Sequence, residues 1–416
     1  MQKKIWDFTL EIKKLMLEKN KKYFTKKNNI QLSNPFFFGK EKKFVLNCIK
    51  SGWLTTSGEY IFKFKKMISR IIQSERIVLV VNGTAAIQLA IRAFKPKAGD
   101  EIIVPSITFV STINSISYNN CSPVFMDCDD DYLIDLQKTK QFLKEKTYKK
   151  NGFTYNKKTK KRILAIIVVH TFGNSVNLSK NVISLFKKHN IKVIEDAAES
   201  FGSFLKENGK LKHTGTIGDI GCFSFNGNKI FTSGGGGAVI TKKKVHQKYI
   251  DYLSKQAKDD KINFIHNDVG YNLHISNLHS AIGCAQIVNL KKILIKKKLI
   301  YKTYLKQINS IPGLELLKEN KNSSSNCWLN ILKIDEKTYG KTKESLINHM
   351  LSKGIEVRSL WFPNHLQKPY LKHQNYKIEK SLSLFKKSIC LPSSYSLSIK
   401  QIILIVKILK SYAKKY

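Results

Sequence analysis

The sequence predicts an α/β protein with a mostly parallel central sheet in a large domain, followed by a smaller α+β domain. Two observations support this fold class. From about Phe36, short apolar runs that are long enough only for strands alternate with helical patterns, and such alternation gives a parallel sheet covered by helices on both faces. The 416 residues are 42% hydrophobic, which is ample for a large core.

The elements follow in chain order. Residues 5–17 show a helical apolar pattern, and a polar stretch up to residue 35 predicts a linker. A polar, basic stretch at 144–162 is centred on Asn151-Gly152, a hairpin turn signal, and predicts a surface insertion. Strands of the large domain are predicted from apolar runs at 76–81, 101–105, 123–127, 163–169 and 192–196.

A domain boundary is expected near residue 290. The Lys-rich helical stretch at 286–309 leads to a turn at 311–313, and the segments beyond it predict a smaller α+β unit. We therefore expect an N-terminal helix and linker over 1–35, a large domain over 36–290 and a small domain over 291–416.

Composition argues against several classes of protein. Lys and Arg number 73 against 30 Asp and Glu, a net charge of +43, but only five of these cations are arginine, the side chain that reads bases and phosphates with a planar fork. The excess is either a chain-wide lysine bias or a basic surface with a polyanionic partner, and we expect no nucleic-acid partner.

Seven cysteines stand singly without a C-x-x-C pair, which argues against a zinc cage or a disulfide framework and predicts a reducing compartment. Because there is neither a secretion signal nor an apolar run of about 18 residues, we expect a cytoplasmic protein with no membrane contact and no metal.

An anion site is predicted where the first strand ends at Asn82-Gly83-Thr84 and a helix begins at once. Gly83 permits a tight turn, and the helix start offers free N–H groups to a phosphate, with the Thr84 hydroxyl as a further donor. The alternative is a glycine turn with Thr84 as an ordinary helix cap.

A carboxylate is predicted at the C-terminal edge of the sheet, where the strand at 192–196 ends in Glu195-Asp196. Ligands of α/β folds bind at this edge. The carboxylate is a helix cap, a metal ligand or the partner of a cationic ring nitrogen.

The segment at 218–241 contains an unusual lysine. Phe223-Ser224-Phe225 predicts a short strand, the next three residues a turn, and Gly234–Gly237 a place where another group approaches the backbone closely. Lys229 follows the turn among aromatic, small and glycine residues rather than on a polar helix face. A desolvated amine in such a setting can act as a Schiff-base nucleophile.

A phosphate cradle at 82–84, an acid at 196 and an amine at 229 are together what pyridoxal 5'-phosphate requires of a protein. Phe109, which follows the strand at 101–105, can stack on the ring of this cofactor, although an aromatic residue near a strand end more often belongs to the core. The sequence therefore predicts a pyridoxal-phosphate site.

From about Phe36 to the C-terminus the chain resembles the sugar-nucleotide aminotransferases of the DegT/DnrJ/EryC1/StrS group, which have the fold type I pyridoxal-phosphate-dependent transferase architecture. The resemblance rests on GWLTTSGEY (52–60), VNGTAAIQLA, DEIIVPSITFVST, IEDAAESFGS, CFSFNGNKIFTSGGGGAVIT, QAKDD (256–260), HNDVGYNLHISNLHSAIGCAQ (266–286) and CLPSS (390–394). The NGFTYNKKTKKR insertion, HTFGN (170–174), HTGT (213–216) and the GNK…GGGG form are most similar to the branch that aminates UDP- or GDP-linked 4-keto-6-deoxy-N-acetylhexosamines for legionaminic-acid or bacillosamine-type sugars.

The resemblance implies two catalytic residues, with Lys229 forming the imine with the cofactor and Asp196 pairing with its ring nitrogen. Glu199 stands near the phenolic oxygen of the cofactor, where the family often has Gln or His. The implied cofactor-binding residues are Gly83, Thr84, Phe109, Asp196, Glu199, Ser224, Lys229 and, across a dimer interface, Asn272. The implied substrate-side residues are Thr55, Thr56 and His170.

Two positions depart from the family pattern. Leu273-His274 follow GYN where the family commonly has an aromatic residue and Arg, so an interfacial cation that could assist substrate phosphates is missing or weakened. Gly234–Gly237 replace the usual Gly-Glu-Gly-Gly, as in the branch named above.

The resemblance thus implies a homodimeric aminotransferase with shared active sites, which takes its amino group from glutamate. Other enzymes of the same fold, a perosamine-type aminotransferase and a sugar 3-dehydratase, are alternatives. In the dehydratase a histidine replaces the imine lysine, so Lys229 argues against it. A non-catalytic polyanion-binding protein and a regulatory member that senses a product are further alternatives.

Overall fold

The computed structural model describes residues 30–260 and 262–413, and the helix predicted at residues 5–17 lies outside this part of the chain. The helices are α1 (Lys40–Ser51), α2 (Glu59–Ile72), α3 (Gly83–Arg92), α4 (Val110–Tyr118), α5 (Leu136–Lys146), α6 (Lys180–Lys188), α7 (Lys244–Ser254), α8 (Asn277–Ile287), α9 (Leu290–Ile308), α10 (Glu336–Tyr339), α11 (Lys343–Ser352), α12 (Lys380–Lys387) and α13 (Ile399–Tyr412). The strands are β1 (Ile77–Val80), β2 (Glu101–Pro105), β3 (Ser122–Met126), β4 (Thr147–Lys150), β5 (Phe153–Asn156), β6 (Ile163–Val169), β7 (Lys192–Asp196), β8 (Phe204–Glu207), β9 (Lys210–His213), β10 (Ile220–Ser224), β11 (Gly237–Thr241), β12 (Leu314–Leu316), β13 (Ser323–Ser324), β14 (Asn330–Ile334), β15 (Arg358–Ser359), β16 (Asn375–Tyr376) and β17 (Ser388–Leu391). Among the helices described, none combines the length and the apolar character that crossing a bilayer requires.

The central sheet has the strand order β1-β11-β10-β7-β6-β2-β3-β16. β11 runs antiparallel to both of its neighbours, and the other strand pairs are parallel. The strands predicted from the five apolar runs are confirmed as β1, β2, β3, β6 and β7, each with ends within one residue of the expected position. The predicted α/β class with a mostly parallel sheet is therefore confirmed.

Both faces of the sheet are covered, and β1 shows how. Val78 and Val80 join a buried cluster on one face, where α3 packs, while Ile77 and Leu79 join a cluster on the other face with α2 and α8. Successive side chains of a strand point to opposite faces, so a strand buried on both sides has to be apolar throughout. This is the physical reason for the uninterrupted apolar runs.

The predicted insertion forms the hairpin β4–β5. Asn151 and Gly152 at its tip have φ values of 49° and 77°, the left-handed conformations that a tight two-residue hairpin turn needs. The base of the hairpin, however, is not on the surface: Asn156 is buried and its amide donates to the carboxylate of Glu101 at 2.7 Å. Most side chains of 144–162 are nevertheless exposed, and the description of this stretch as an insertion stays a prediction.

The C-terminal part contains an antiparallel sheet of order β12-β14-β17-β15, whose core includes side chains of α9, α11 and α13. Two contacts cross the predicted boundaries. β16 pairs with β3 at the edge of the central sheet, and Ile30, in the predicted linker, forms a bridge with Ile355. The division of the chain at residue 290 stays a prediction.

Candidate active site

The C-terminal ends of β1, β7 and β10 lie at one edge of the central sheet. The chain continues from these ends into the segments with Gly83, Asp196 and Lys229. Strands that run in the same direction end at the same edge, and this brings residues together that are far apart in the sequence.

The start of α3 forms the candidate phosphate cradle. The Asn82 side chain caps the helix by accepting the Ala85 N–H at 2.8 Å, so the cap is Asn82 and not Thr84. Gly83 and Thr84 occupy the first two helical positions, whose N–H groups have no acceptor within the helix. A Cβ at Gly83 would stand 2.7 Å from the Cβ of Ser224, so the helix start and the end of β10 enclose one small space.

Asp196 is the last residue of β7, and only 4% of it is exposed. Its carboxylate accepts the Thr112 hydroxyl at 2.7 Å and the Ala198 N–H at 3.1 Å. Burial raises the pKa of Asp196, while the bond from Thr112 opposes that rise. A carboxylate has about four acceptor positions, so Asp196 is held in place and can still bind a cation.

Lys229 follows a turn in which its N–H donates to the Asn226 carbonyl at 3.1 Å. Its amine lies 4.3 Å from the centre of the Trp328 indole and 3.6 Å from a carboxylate oxygen of Glu199. The Trp328 Nε1–H donates to the Asn228 carbonyl at 2.7 Å. The indole therefore fixes the turn and faces the amine at the same time.

Glu199 is buried beside Lys229, and its other carboxylate oxygen accepts the Phe172 N–H at 2.9 Å. Phe172 has a φ of 58°, a left-handed conformation that bulky residues rarely adopt, and its ring stacks on Trp361. Burial raises the pKa of Glu199 to about 7, against the lowering effect of the Lys229 charge. The site therefore contains a carboxyl group that gains or loses its proton near neutral pH.

Phe109 precedes α4 and is 52% exposed, so the alternative of a core position does not hold. The adjacent Thr108 hydroxyl lies 3.0 Å from that of Thr112, which in turn donates to Asp196. This chain of contacts places the exposed ring on a loop tied to the Asp196 carboxylate, where a flat ligand can cover it.

His170 is fully buried. Its Nε2 is 2.9 Å from the carboxylate of Glu195, and its Nδ1 accepts the Val176 N–H at 3.0 Å. Glu195 also accepts the Gly215 and Ile217 N–H groups. Burial opposes ionisation of Glu195, but the hydrogen bonds from His170 and from backbone N–H groups hold its pKa below the usual value. Both ring nitrogens of His170 thus have partners within the protein, and its predicted contact with the substrate stays a prediction.

Thr55, Thr56 and Asn272 are exposed. Thr55 and Thr56 lie on the loop between α1 and α2, where the Thr55 carbonyl accepts the Asn277 N–H at 2.6 Å. In residues 30–260 and 262–413, no hydrogen bond joins these three side chains to Lys229. Their roles remain predictions.

Sequence analysis missed three residues that organise the site. Thr112 holds Asp196, Trp328 faces Lys229, and the Asn326 amide donates to the Glu199 carbonyl at 2.9 Å. Thr112 lies within the PSITFVST segment, so a polar residue just after Phe109 was a usable signal. No local signal could place Trp328, because its contact with the lysine turn spans 100 residues.

These residues fit pyridoxal 5'-phosphate on structural grounds. Gly83 and Ser224 form a close-packed cradle at a helix N-terminus, which suits a phosphate. A buried carboxylate at Asp196, an amine at Lys229 and an exposed ring at Phe109 supply the remaining groups that this cofactor needs.

Comparisons with known proteins agree with this geometry. The pattern of the DegT/DnrJ/EryC1/StrS aminotransferase family matches residues 39–410. GDP-perosamine synthase of Escherichia coli O157:H7 is 33% identical over 92% of this chain and 98% of its own, and that of Vibrio cholerae is 31% identical over 92% and 99%. The solved structure of Helicobacter pylori PseC, described as an aminotransferase involved in the biosynthesis of pseudoaminic acid, covers 94% of this chain and 100% of its own, with a TM-score of 0.82 at 22% identity.

Proposed function

The chain belongs to the DegT/DnrJ/EryC1/StrS aminotransferase family of pyridoxal-phosphate-dependent sugar aminotransferases, and from this premise we propose that it transfers an amino group from glutamate to C4 of a nucleotide-linked 4-keto-6-deoxy-N-acetylhexosamine. One observation supports the proposal above all. The Lys229 amine is held between an indole and a buried carboxyl group, at the sheet edge where Asp196 and the start of α3 also lie.

The residues around the site have different roles. When bound, pyridoxal 5'-phosphate supplies an electron-withdrawing ring that makes the α-proton of an amino acid removable. Gly83, Thr84 and Ser224 would bind the phosphate, and Asp196 would hold a proton at the ring nitrogen. Lys229 would attach the cofactor and move the proton between the donor carbon and the cofactor, as a positioned general base.

Glu199 controls the charge around this amine. Its carboxyl group is 3.6 Å from Lys229 Nζ and its pKa is raised to about 7 by burial. A carboxyl group with a pKa near 7 can donate a hydrogen bond when it is protonated and accept one when it is ionised. Its partner would be the oxygen on the cofactor ring beside Lys229. Phe109, exposed and tied to the Asp196 loop, would cover one face of the ring.

Two sugar classes are candidates for the acceptor. The GNK…GGGG and HTFGN segments support a UDP- or GDP-linked 4-keto-6-deoxy-N-acetylhexosamine, for legionaminic-acid or related surface-glycan biosynthesis. The second candidate is a GDP-linked 4-keto-6-deoxyhexose of the perosamine type, which the two relatives named GDP-perosamine synthase favour.

The homodimer with shared sites belongs to the same proposal. Trp53 and Phe62, on either side of Thr55, are 58% and 74% exposed, and Val269, close to Asn272, is 75% exposed. Large apolar side chains in water are typical of a surface that another chain covers. The segment of Asn272, which is expected at the interface, and the segment of Thr55 both expose apolar side chains that a second chain would cover.

The test combines a labelling and a product experiment. Borohydride reduction of the holoenzyme followed by peptide mapping should find the cofactor on Lys229, and mass spectrometry should detect an amino sugar made from L-glutamate and one member of a panel of UDP- and GDP-linked 4-keto sugars. Lys229→Ala, the control, should lose turnover by several orders of magnitude, since it lacks both the attachment point and the proton carrier. Label on another lysine, or no product from any sugar, would overturn the proposal.

A further inference from the structure

Lys297, in the middle of α9, is a buried cation that the proposed reaction does not use. Only 3% of it is exposed, and its ammonium group donates to the carbonyls of Trp328, at 3.1 Å, and Ser393. No carboxylate forms an ion pair with it in the described part of the chain. Burial lowers the pKa of Lys297 to about 8. Lysine is almost never fully buried without a charged partner, so this placement calls for an explanation.

The first carbonyl that Lys297 holds belongs to the segment Asn326–Trp328, here called the wedge segment. Its Trp328 indole lies 4.3 Å from the amine of Lys229, and its Asn326 amide donates to the backbone of Glu199. The wedge segment thus touches both members of the pair at the centre of the site. Lys297 holds the backbone of this segment through the Trp328 carbonyl.

The second carbonyl belongs to the CLPSS segment, which α9 fastens at two points. Tyr304, two turns after Lys297, donates its hydroxyl to the Pro392 carbonyl at 3.1 Å. The Ser393 hydroxyl accepts the Asn330 N–H at 3.1 Å, at the start of β14. Helix α9 is therefore hydrogen-bonded to both the wedge segment and the CLPSS segment. The distance between these two segments limits where the Trp328 indole can lie.

We propose that Lys297 is a positioning residue for the transamination, acting through the Trp328 backbone to hold the indole against Lys229. The proposal rests on the proposed function, because it concerns the step that Lys229 performs. Among the described residues, no hydrogen bond joins Lys297 to Lys229, Asp196 or Glu199. Its ammonium group donates hydrogen bonds to two backbone carbonyls rather than to a carboxylate. It therefore holds two segments of backbone together without pairing with Asp196 or Glu199.

The test uses the holoenzyme and L-glutamate alone, with the change in cofactor absorbance as the signal of a single turnover. Lys297→Met should slow this step about 10- to 100-fold at saturating glutamate, with little change in the half-saturating concentration, since a small misplacement of a reacting group costs rate rather than binding. Circular dichroism in the absorption band of the bound cofactor should change as well, because the orientation of the ring relative to Lys229 changes.

Lys343 offers a matched control. It too is a buried lysine of the C-terminal part, donating to the Phe385 carbonyl at 2.8 Å, but it has no contact with the wedge segment among the described residues. Lys343→Met should leave the single-turnover rate and the circular dichroism unchanged. Equal behaviour of the two variants would overturn the positioning role.

A double variant tests whether Lys297 acts through Trp328. In a Trp328→Leu background, Lys297→Met should cause little further loss of rate, since residues that act through one another have non-additive effects. Fully additive losses would refute the route through the indole. If Lys297→Met does not fold, Lys297→Gln, which keeps one donor, supports the same comparison. If glutamate is not the donor, the wild type itself fails to react, and the circular dichroism still decides the role of Lys297.

Discussion

Replacing Glu199 by Gln should stabilise the cofactor-free protein at alkaline pH and have little effect at acidic pH. Glu199 is buried beside Lys229, and its pKa is raised by burial from 4.5 to about 7. Between these values the folded state keeps a proton that the unfolded state has lost. The stability contributed by this group is therefore fully present below pH 4.5 and is lost as the pH rises through 7.

The size of the effect follows from the shift. Each pKa unit corresponds to about 1.4 kcal/mol, so ionised Glu199 costs the folded state about 3 kcal/mol above pH 7. Gln resembles the protonated acid in shape, and its oxygen can still accept the Phe172 N–H. The gain in the free energy of unfolding for Glu199→Gln over the wild type should be larger at pH 8 than at pH 5 by about 2–3 kcal/mol.

Urea unfolding followed by far-ultraviolet circular dichroism, at both pH values and without cofactor, measures this difference. Glu195→Gln is the control, because Glu195 is also buried, one residue before the end of β7, but has a lowered pKa and accepts hydrogen bonds from the Gly215 and Ile217 N–H groups. It should destabilise the protein, and more so at pH 8. A Glu199→Gln difference that is the same at both pH values would refute the argument that burial controls this carboxyl group.

Three further predictions concern the cofactor cradle, the ring partner and the interface. Gly83→Ala should destabilise the protein by about 1–3 kcal/mol and weaken cofactor binding, since its Cβ would stand 2.7 Å from that of Ser224; thermal unfolding and cofactor titration measure both effects, and Ser224→Gly in the same chain should restore the stability but not the cofactor binding, because Ser224 is itself a proposed phosphate-binding residue. Asp196→Asn should keep the fold and bind the cofactor but lower turnover about 10²- to 10³-fold, because an amide cannot hold a proton at the ring nitrogen; near-normal turnover would show that Asp196 only supports its loop. Mixing inactive Lys229→Ala subunits with inactive Asn272→Asp subunits should restore about one competent site per mixed dimer, and no recovery despite verified subunit exchange would contradict the shared site.

The amino-acid sequence by itself determined the strands and the residues at their ends. β2, β6 and β7 have the predicted bounds, because each contains an apolar run that is buried on both faces of the sheet, and such a run is a local property of the sequence. The positions of Asp196 and Lys229 followed from the same local patterns, since one residue ends an apolar run and the other follows a turn among small and aromatic residues.

Only the tertiary structure decided what surrounds these residues. The burial of His170 against Glu195, the contact of Trp328 with Lys229 and the support from Lys297 join segments that lie far apart in the chain. No periodicity or spacing encodes such contacts. The contact of His170 depends on the pairing of β6 with β7, and those of Trp328 and Lys297 depend on how the C-terminal part packs. The sequence therefore determined which groups are present at the site, and the packing of distant segments determined their orientation and the proton affinity of Glu199.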